Sequence, residues 1–241
     1  MKTTCIIQAR MGSTRLPGKI LMEIAGKPML RHIVERVRKC RCVDEVVVAT
    51  TKRWEDKKVI ELCTKIKCSY FEGSESDVLD RYYKSAIKYN SDIIIRVTGD
   101  CPLVDFNQID RMIEIQKKAK ADYVENVDVG LPRGIGAEIF TMDALKKSWL
   151  EGNEPHHREH VDEYIIENPQ KFRTAKLPVE QWMKKDCRLT VDTNEDLQLI
   201  KEIYGRLYRG IPIEFKDVIS LLDKNPELSK INSHIVQKKV K

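Results

Sequence analysis

The chain has 241 residues, 41% hydrophobic and 33% charged, with a formal net charge of +6. That length suits one large α/β domain or a domain with a small appendage, and no apolar run approaches the roughly 20 residues of a membrane helix. Seven cysteines, an odd number with no C-x-x-C pair, argue against a disulfide framework and a structural zinc site, and the N-terminus turns charged too soon for a signal peptide.

The chain therefore reads as cytoplasmic, with reduced and mostly buried thiols. Its basic balance suits nucleic acid or an anionic small substrate. Few aromatics interleave with the basic residues, so neither a nucleic-acid nor a membrane partner is expected.

The elements alternate. "TTCIIQA" is a β-branched strand, followed by the basic loop "QARMGSTRLPGKIL". "MLRHIVERVRKC" places Leu30, Ile33, Val34 and Val37 on one helical face and leaves His32 on the surface. "EVVVAT", "CSYF" and "DIIIRVTG" are further strands, separated by the amphipathic helices "EDKKVIELCTKI" and "DVLDRYYKSAIKYN". "FNQIDRMIEIQKKAKA" is a helix and "DYVENV" a strand; "GLPRGIGAEIFT" reads as a bent loop entering another strand. "PHHREHVDEYIIEN" reads as a helix entered through Pro155 and ended before Pro169. "RLTVDT" is a last strand, and Asn194 caps the helix "NEDLQLIKEIYGRL" after it. The pattern predicts a three-layer α/β/α fold with a mostly parallel, twisted sheet. One domain is expected over residues 1–229, with about 130–180 forming an arm or lobe, and residues 230–241 forming a basic tail.

A loop after a first parallel strand lies at the carboxyl edge of the sheet, where open α/β folds bind ligands. Gly12 and Gly18 allow close backbone approach. Ser13 and Thr14 offer hydroxyls, and Arg10, Arg15 and Lys19 offer charge. The set suits a polyphosphate. It is not a Walker loop, because Ile20 stands where Ser or Thr is needed, and it lacks the dinucleotide G-x-G-x-x-G. Asp100 in "RVTGDCPLVD" and Asp192 in "RLTVDTNEDL" each follow a predicted strand, on the same edge if those strands are parallel to the first. Two such carboxylates suit Mg²⁺ bound with phosphate oxygens. Each also reads as a turn or cap residue, and Asp105 as the cap of the helix after it.

"QARMGSTRLPGKIL" with "GKPML" resembles the signature of sugar-activating cytidylyltransferases. It is similar to the A-R-x-x-S-x-R-L-P-x-K pattern of 3-deoxy-manno-octulosonate cytidylyltransferases and CMP-sialic acid synthetases. With "EVVVAT", "GSESDVLDRYY", "RVTGDCPLVD", "GAEIFT", "REHVDEYI" and "RLTVDTNEDL", the wider match over roughly residues 3–200 most resembles the SpsF-type spore coat polysaccharide biosynthesis family. Thr98 and Cys101 depart from the Gln and Glu that flank Gly-Asp in the octulosonate enzymes.

The resemblance implies a nucleotide-diphospho-sugar transferase, Rossmann-like fold and attack of a sugar or sugar acid on the α-phosphate of CTP. The product is a CMP- or CDP-linked sugar plus pyrophosphate, made for surface polysaccharide or glycan. It implies Gln8, Ala9, Arg10, Gly12, Ser13, Arg15, Lys19, Gly73 and Ser74 at the nucleotide, and Asp100 and Asp192 on Mg²⁺. Arg15, Lys19 and Asp100 carry the catalysis. Arg133, Glu138 and His160 are acceptor candidates, and a homodimer through the arm is expected. Arg81 faces either nucleotide or solvent. His156 and His160, four apart, would share a helical face, but no carboxylate stands at the zincin position, so zinc is not expected. The rival chemistries are a glycosyltransferase, for which no D-x-D triplet is present, and transfer from another NTP such as UTP.

Overall fold

The computed structural model describes residues 1–126 and 130–236. In chain order the strands and helices are β1 (Thr3–Gln8), the two-residue strands β2 (Glu23–Ile24) and β3 (Lys27–Pro28), α1 (Met29–Val37), β4 (Glu45–Thr51), α2 (Lys57–Lys65), β5 (Ser69–Gly73), α3 (Val78–Lys88), β6 (Ile93–Thr98), α4 (Phe106–Ala119), β7 (Tyr123–Glu125), β8 (Glu138–Thr141), α5 (Met142–Glu151), α6 (Pro155–Glu159), α7 (Glu163–Glu167), β9 (Thr174–Lys176), α8 (Asn194–Leu207), α9 (Phe215–Lys224) and α10 (Pro226–Lys230).

Seven strands form the main sheet in the order β5-β4-β1-β6-β8-β7-β9. Every neighbouring pair is parallel except those made by β8, which runs antiparallel to β6 and β7. Strand alternation sorts the side chains. Cys5, Ile7, Ile93, Ile95 and Val97 face the layer of α1, α2, α4, α8 and α9, while Ile6 and Ile94 face Leu79, Tyr82, Leu145 and Ile165 of α3, α5 and α7. A sheet covered on both sides needs apolar residues in both phases, which "TTCIIQ" and "IIIRVT" supply. The expected three-layer fold is the observed one. No helix among the described residues is long and apolar enough to cross a membrane.

Several expectations are corrected. "RLTVDT" is not a strand: apart from one isolated bridge between Arg188 and Arg133, it is extended chain whose amides bond to loops, Leu189 N–H to the Arg133 carbonyl and Val191 N–H to the Asp100 carbonyl. Leu189 and Val191 are fully buried, which gave the segment its strand-like pattern. "PHHREHVDEYIIEN" is two short helices, broken at His160, which is extended. Thr193, not Asn194, caps α8: its side chain accepts from Asp196 N–H, and the Asp196 carboxylate accepts from Thr193 N–H in a reciprocal capping box. His32 is buried, bonded to the Ile24 carbonyl at 2.6 Å and edge-on to Tyr204 and Tyr208. β8 and β9, from the expected lobe, lie in the main sheet. "DYVENV" is strand only to Glu125, and its Val127 lies outside the described residues, as does the stretch 237–241 of the expected tail. Asn232, beyond the boundary expected at 229, is buried in the body.

Arg36 braces the layer behind α1. It is fully buried, with Nε on the Val104 carbonyl at 2.7 Å, Nη1 on the Ile213 carbonyl at 2.6 Å, and the Phe106 ring 5.3 Å away. Replacing it leaves buried carbonyls without donors. Arg36→Met is expected to lower unfolding free energy by about 2–4 kcal/mol in denaturant melts, with little change in the denaturant dependence.

Candidate functional site

The carboxyl ends of β1, β4, β5 and β6 lie on one edge, since Gln8 is in register with both Ala49 and Thr98, and Thr51 with Gly73. The basic loop leaves this edge and folds on itself: the Met11 carbonyl accepts from Ser13 N–H at 2.8 Å and Gly18 N–H at 3.0 Å. Asp56 pins it from outside. This buried carboxylate accepts the Met11 N–H at 2.7 Å and also bonds the Thr51 hydroxyl.

The loop delivers Lys19 to the centre of the site. Lys19 is 8% exposed, and its Nζ lies 2.9 Å from Asp100 Oδ2, 2.8 Å from Asp192 Oδ1 and 2.7 Å from the Val191 carbonyl. Arg15 Nη2 lies 3.0 Å from Asp192 Oδ2. Sequence separations of 81 and 173 residues are thus closed onto one ammonium. Burial alone would lower the Lys19 pKa, but the two carboxylates outweigh it and leave it above its ordinary value. Asp192 goes the other way: burial raises it, while Lys19, Arg15 and Arg188 pull it below the usual carboxylate range.

Close packing fixes both acids. A Cβ on Gly99 would stand 2.7 Å from the Gln8 carbonyl oxygen, so only glycine lets Asp100 follow β6 this tightly against β1. Gly134 has φ +98°, and a Cβ there would meet Thr190 N at 2.6 Å; glycine is what admits the Asp192 segment beside the Arg133 turn. Behind Asp192 stands a buried chain. Arg188 pairs with Asp192 Oδ2 through Nη2 and with Asp196 Oδ1 at 2.9 Å through Nε. Asn232 Nδ2 donates to Asp196 Oδ1 at 2.8 Å and to the Arg188 carbonyl at 2.9 Å.

The other expected residues divide. Arg10 pairs loosely with Glu75 at 3.5 Å, and Ser13 Oγ accepts the Leu16 N–H at 3.3 Å. Gln8 ends β1 with Oε1 buried and unpartnered among the described residues, and Ala9 is buried after it. Gly73 ends β5, and Ser74 Oγ accepts the Asp77 N–H at 3.1 Å. Asp77 caps α3, and Asp105 caps α4 as expected. Of the two expectations for Arg81, exposure to solvent is corrected: it is buried and holds the Ser74 carbonyl.

Arg133 is exposed, with its backbone bridged to Arg188. His160 is half-buried, with no side-chain hydrogen bond among the described residues. It shares no helical face with His156. Instead His156 Nε2 and His157 Nε2 lie 2.8 and 2.6 Å from the two oxygens of Glu167. These three side chains bring ligand atoms within 4.8 Å of one another. His157 Nδ1 accepts the Glu154 N–H at 3.3 Å, however, so in the neutral ring Nε2 carries the proton and donates. The trio clamps α6 to α7.

Sequence reasoning missed Arg158, which joins the lobe to the β5–α3 loop: Nε donates to Asp77 Oδ2 at 2.9 Å and Nη1 to the Trp149 carbonyl at 2.9 Å. It also missed Asp56 and Arg188. Asp196 was legible, since Thr193-x-x-Asp196 has capping-box spacing.

Glu138 is half-buried and committed to Arg96, whose Nη1 lies 3.1 Å from Glu138 Oε1 and 3.3 Å from Asp162 Oδ1. Burial, with the charge of Asp162, raises the Glu138 carboxyl to about 7 against the pull of Arg96. The folded protein then keeps a proton there that the unfolded chain releases in the ordinary carboxylate range. This contribution is full below that range and is lost as pH rises through about 7. Thermal melts are expected to show stability declining by about 1–3 kcal/mol from pH 5 to 7.5, and Glu138→Gln to flatten that slope.

An open α/β sheet with a single antiparallel strand, a glycine-containing basic loop after β1 and two acids at the same edge define a nucleotide-binding transferase. The comparisons specify which. The cytidylyltransferase family pattern matches residues 4–218, and the chain belongs to the cytidylyltransferase family, making it a CTP-dependent nucleotidyltransferase. It is similar to an uncharacterized protein of Methanocaldococcus jannaschii, 40% identical over 99% of this chain and 97% of that one. It is 36% identical to the spore coat polysaccharide biosynthesis protein SpsF of Bacillus subtilis, over 92% and 94% of the two chains. The structure of a cytidylyltransferase from Leptospira borgpetersenii superposes with TM-score 0.90 at 35% identity, covering 99% of this chain and 100% of that one.

Proposed function

We propose that this cytidylyltransferase activates a sugar or sugar acid for surface polysaccharide. An acceptor oxygen attacks the α-phosphorus of CTP in line, and pyrophosphate leaves. The observation that carries this reading is the convergence of Arg15 and Lys19 with Asp100 and Asp192. The similarity to SpsF supports the polysaccharide setting.

Gln8, Ala9, Arg10, Gly12 and Ser13 would line the nucleotide, with Gly73 and Ser74 offering backbone groups to the base. Arg15 and Lys19 would neutralise charge growing on the departing pyrophosphate. Asp100 Oδ2 and Asp192 Oδ1 both face the point held by Lys19 Nζ. Two carboxylate oxygens converging on one point fit Mg²⁺. Asp100 and Asp192 would hold it, and when bound it supplies Lewis-acid polarisation of phosphoryl oxygens. Arg133, exposed beside the Asp192 segment, and His160, with no side-chain hydrogen bond, would meet the acceptor. Glu138, paired with Arg96, would act on the acceptor only through that arginine. An acceptor phosphate or carboxylate would arrive ionised and match Arg133.

The test is pyrophosphate release with Mg²⁺, each of the four NTPs and a panel of nonulosonic acids, octulosonic acids and sugar or polyol phosphates. CTP-specific release with one acceptor class supports the reading. Release with UTP alone, or none with any acceptor, defeats it. The lobe also exposes Leu150 and Ile166, at 58% and 48%, which supports a homodimer through this face. Light scattering that finds only a 28.0 kDa species would remove the dimer.

A further inference from the structure

Lys19 spends its whole hydrogen-bonding capacity inside the protein. An ammonium has three N–H donors, and those of Lys19 reach Asp100 Oδ2, Asp192 Oδ1 and the Val191 carbonyl within 2.9 Å. In this arrangement the lysine has no proton left for a phosphate oxygen.

The carboxylates are equally committed. Asp192 Oδ2 is taken by Arg15 and Arg188, and its Oδ1 by Lys19. Asp100 Oδ2 is held by Lys19, while Oδ1 receives only a weak 3.5 Å contact from the Cys101 thiol. A magnesium ion bound by both acids would sit about 2.0–2.1 Å from one oxygen of each. The oxygens that face each other are those already on Lys19, so the ion and the ammonium compete for one place, and their like charges add repulsion.

We infer that Lys19 is an internal counter-cation that keeps the divalent metal out of the free enzyme, and that metal enters only as triphosphate draws the lysine off the two aspartates. The inference rests on the function proposed above and adds an order of assembly to it. The site would be neutralised before substrate arrives, and nucleotide and metal would bind with positive coupling, each favouring the state in which Lys19 has moved. Arg188, locked to Asp196, would hold Asp192 in place while Oδ1 changes partner.

Mn²⁺ serves as the probe, with bound and free ion counted by electron paramagnetic resonance. Wild-type protein is expected to bind no Mn²⁺ at the Asp100–Asp192 pair at millimolar concentration alone, and to bind it when CTP is added without acceptor. Lys19→Met is expected to bind Mn²⁺ at least 10-fold more tightly than wild type without nucleotide, and Lys19→Met/Asp192→Asn to lose that gain. Submillimolar Mn²⁺ binding by nucleotide-free wild type that disappears in Asp192→Asn would overturn the inference, as would equal affinity in wild type and Lys19→Met. The wild-type arm stands even if the variant does not fold. CTP-dependent pyrophosphate release measured on the same wild-type preparation separates the two ideas: persistent turnover with nucleotide-free metal binding sinks the lysine's role and leaves the function standing.

Discussion

Asp100→Asn is expected to lower pyrophosphate release from CTP by about 10³-fold or more, with the melting temperature changed by only a few degrees. The asparagine keeps the shape of the side chain and removes its charge. Its amide can still accept from Lys19 through oxygen, so the buried ammonium retains Asp192, the Val191 carbonyl and one neutral acceptor. Asp100 is also the more accessible acid, its side chain 27% exposed against 12% for Asp192. What is lost is one of the two anionic side chains that would hold Mg²⁺ against the triphosphate under the proposed function. Steady-state kinetics over a Mg²⁺ titration check this. An Asp100→Asn enzyme with wild-type kcat at saturating Mg²⁺ would exclude the residue from the chemistry.

The first four long strands and their helices were legible because periodicity and burial agree there. Cys5, Ile6 and Ile7 are all buried, as a central parallel strand requires. The Arg15–Lys19 loop and Asp100 could be assigned to one sheet edge from strand direction alone. Asp192 reached that edge by another route than expected. Leu189 and Val191 give their segment the apolar alternation of a strand, yet its partners are the Arg133 and Asp100 loops, and loop–loop pairing leaves no periodic trace.

His32 shows the converse. A lone polar residue on a helix reads as exposed until its acceptor, the Ile24 carbonyl, is brought over it by a hairpin only two residues long on each side. Ala25 and Gly26, with φ 47° and 78°, form the turn of that hairpin. Asp56, Arg158 and Arg188 were illegible for a related reason. Asp56 and Arg158 act on an amide and a carboxylate supplied by distant segments, Arg188 on Asp192 and Asp196 four and eight residues along the chain, and charged side chains look alike in sequence whether they brace a loop or face water.

Arg15 and Arg188 place their guanidinium groups on the same oxygen of Asp192, and their replacement is expected to separate activity from stability. The Arg15 side chain is 31% exposed, and its one ion pair among the described residues is to a carboxylate that keeps two other cations. Arg15→Ala is therefore expected to leave the melting temperature within a few degrees of wild type. Under the proposed function its loss would fall on the transition state, where charge moves onto the leaving pyrophosphate, and is expected to cost about 10²–10³-fold in kcat/KM for CTP.

The Arg188 side chain is 9% exposed, and it joins Asp192 to Asp196, whose side chain is fully buried. Arg188→Met leaves that carboxylate with the Asp192 and Thr193 amides and Asn232, but with no cation beside it. Breaking a buried pair from one side costs about 3–5 kcal/mol, which for a chain of this size is a fall of roughly 10 °C in melting temperature. Differential scanning calorimetry and CTP kinetics on both variants test the contrast. If Arg188→Met melts with wild type, the buried chain from Asn232 to Asp192 is not what holds the second acid, and the rigid support assigned to Asp192 is wrong.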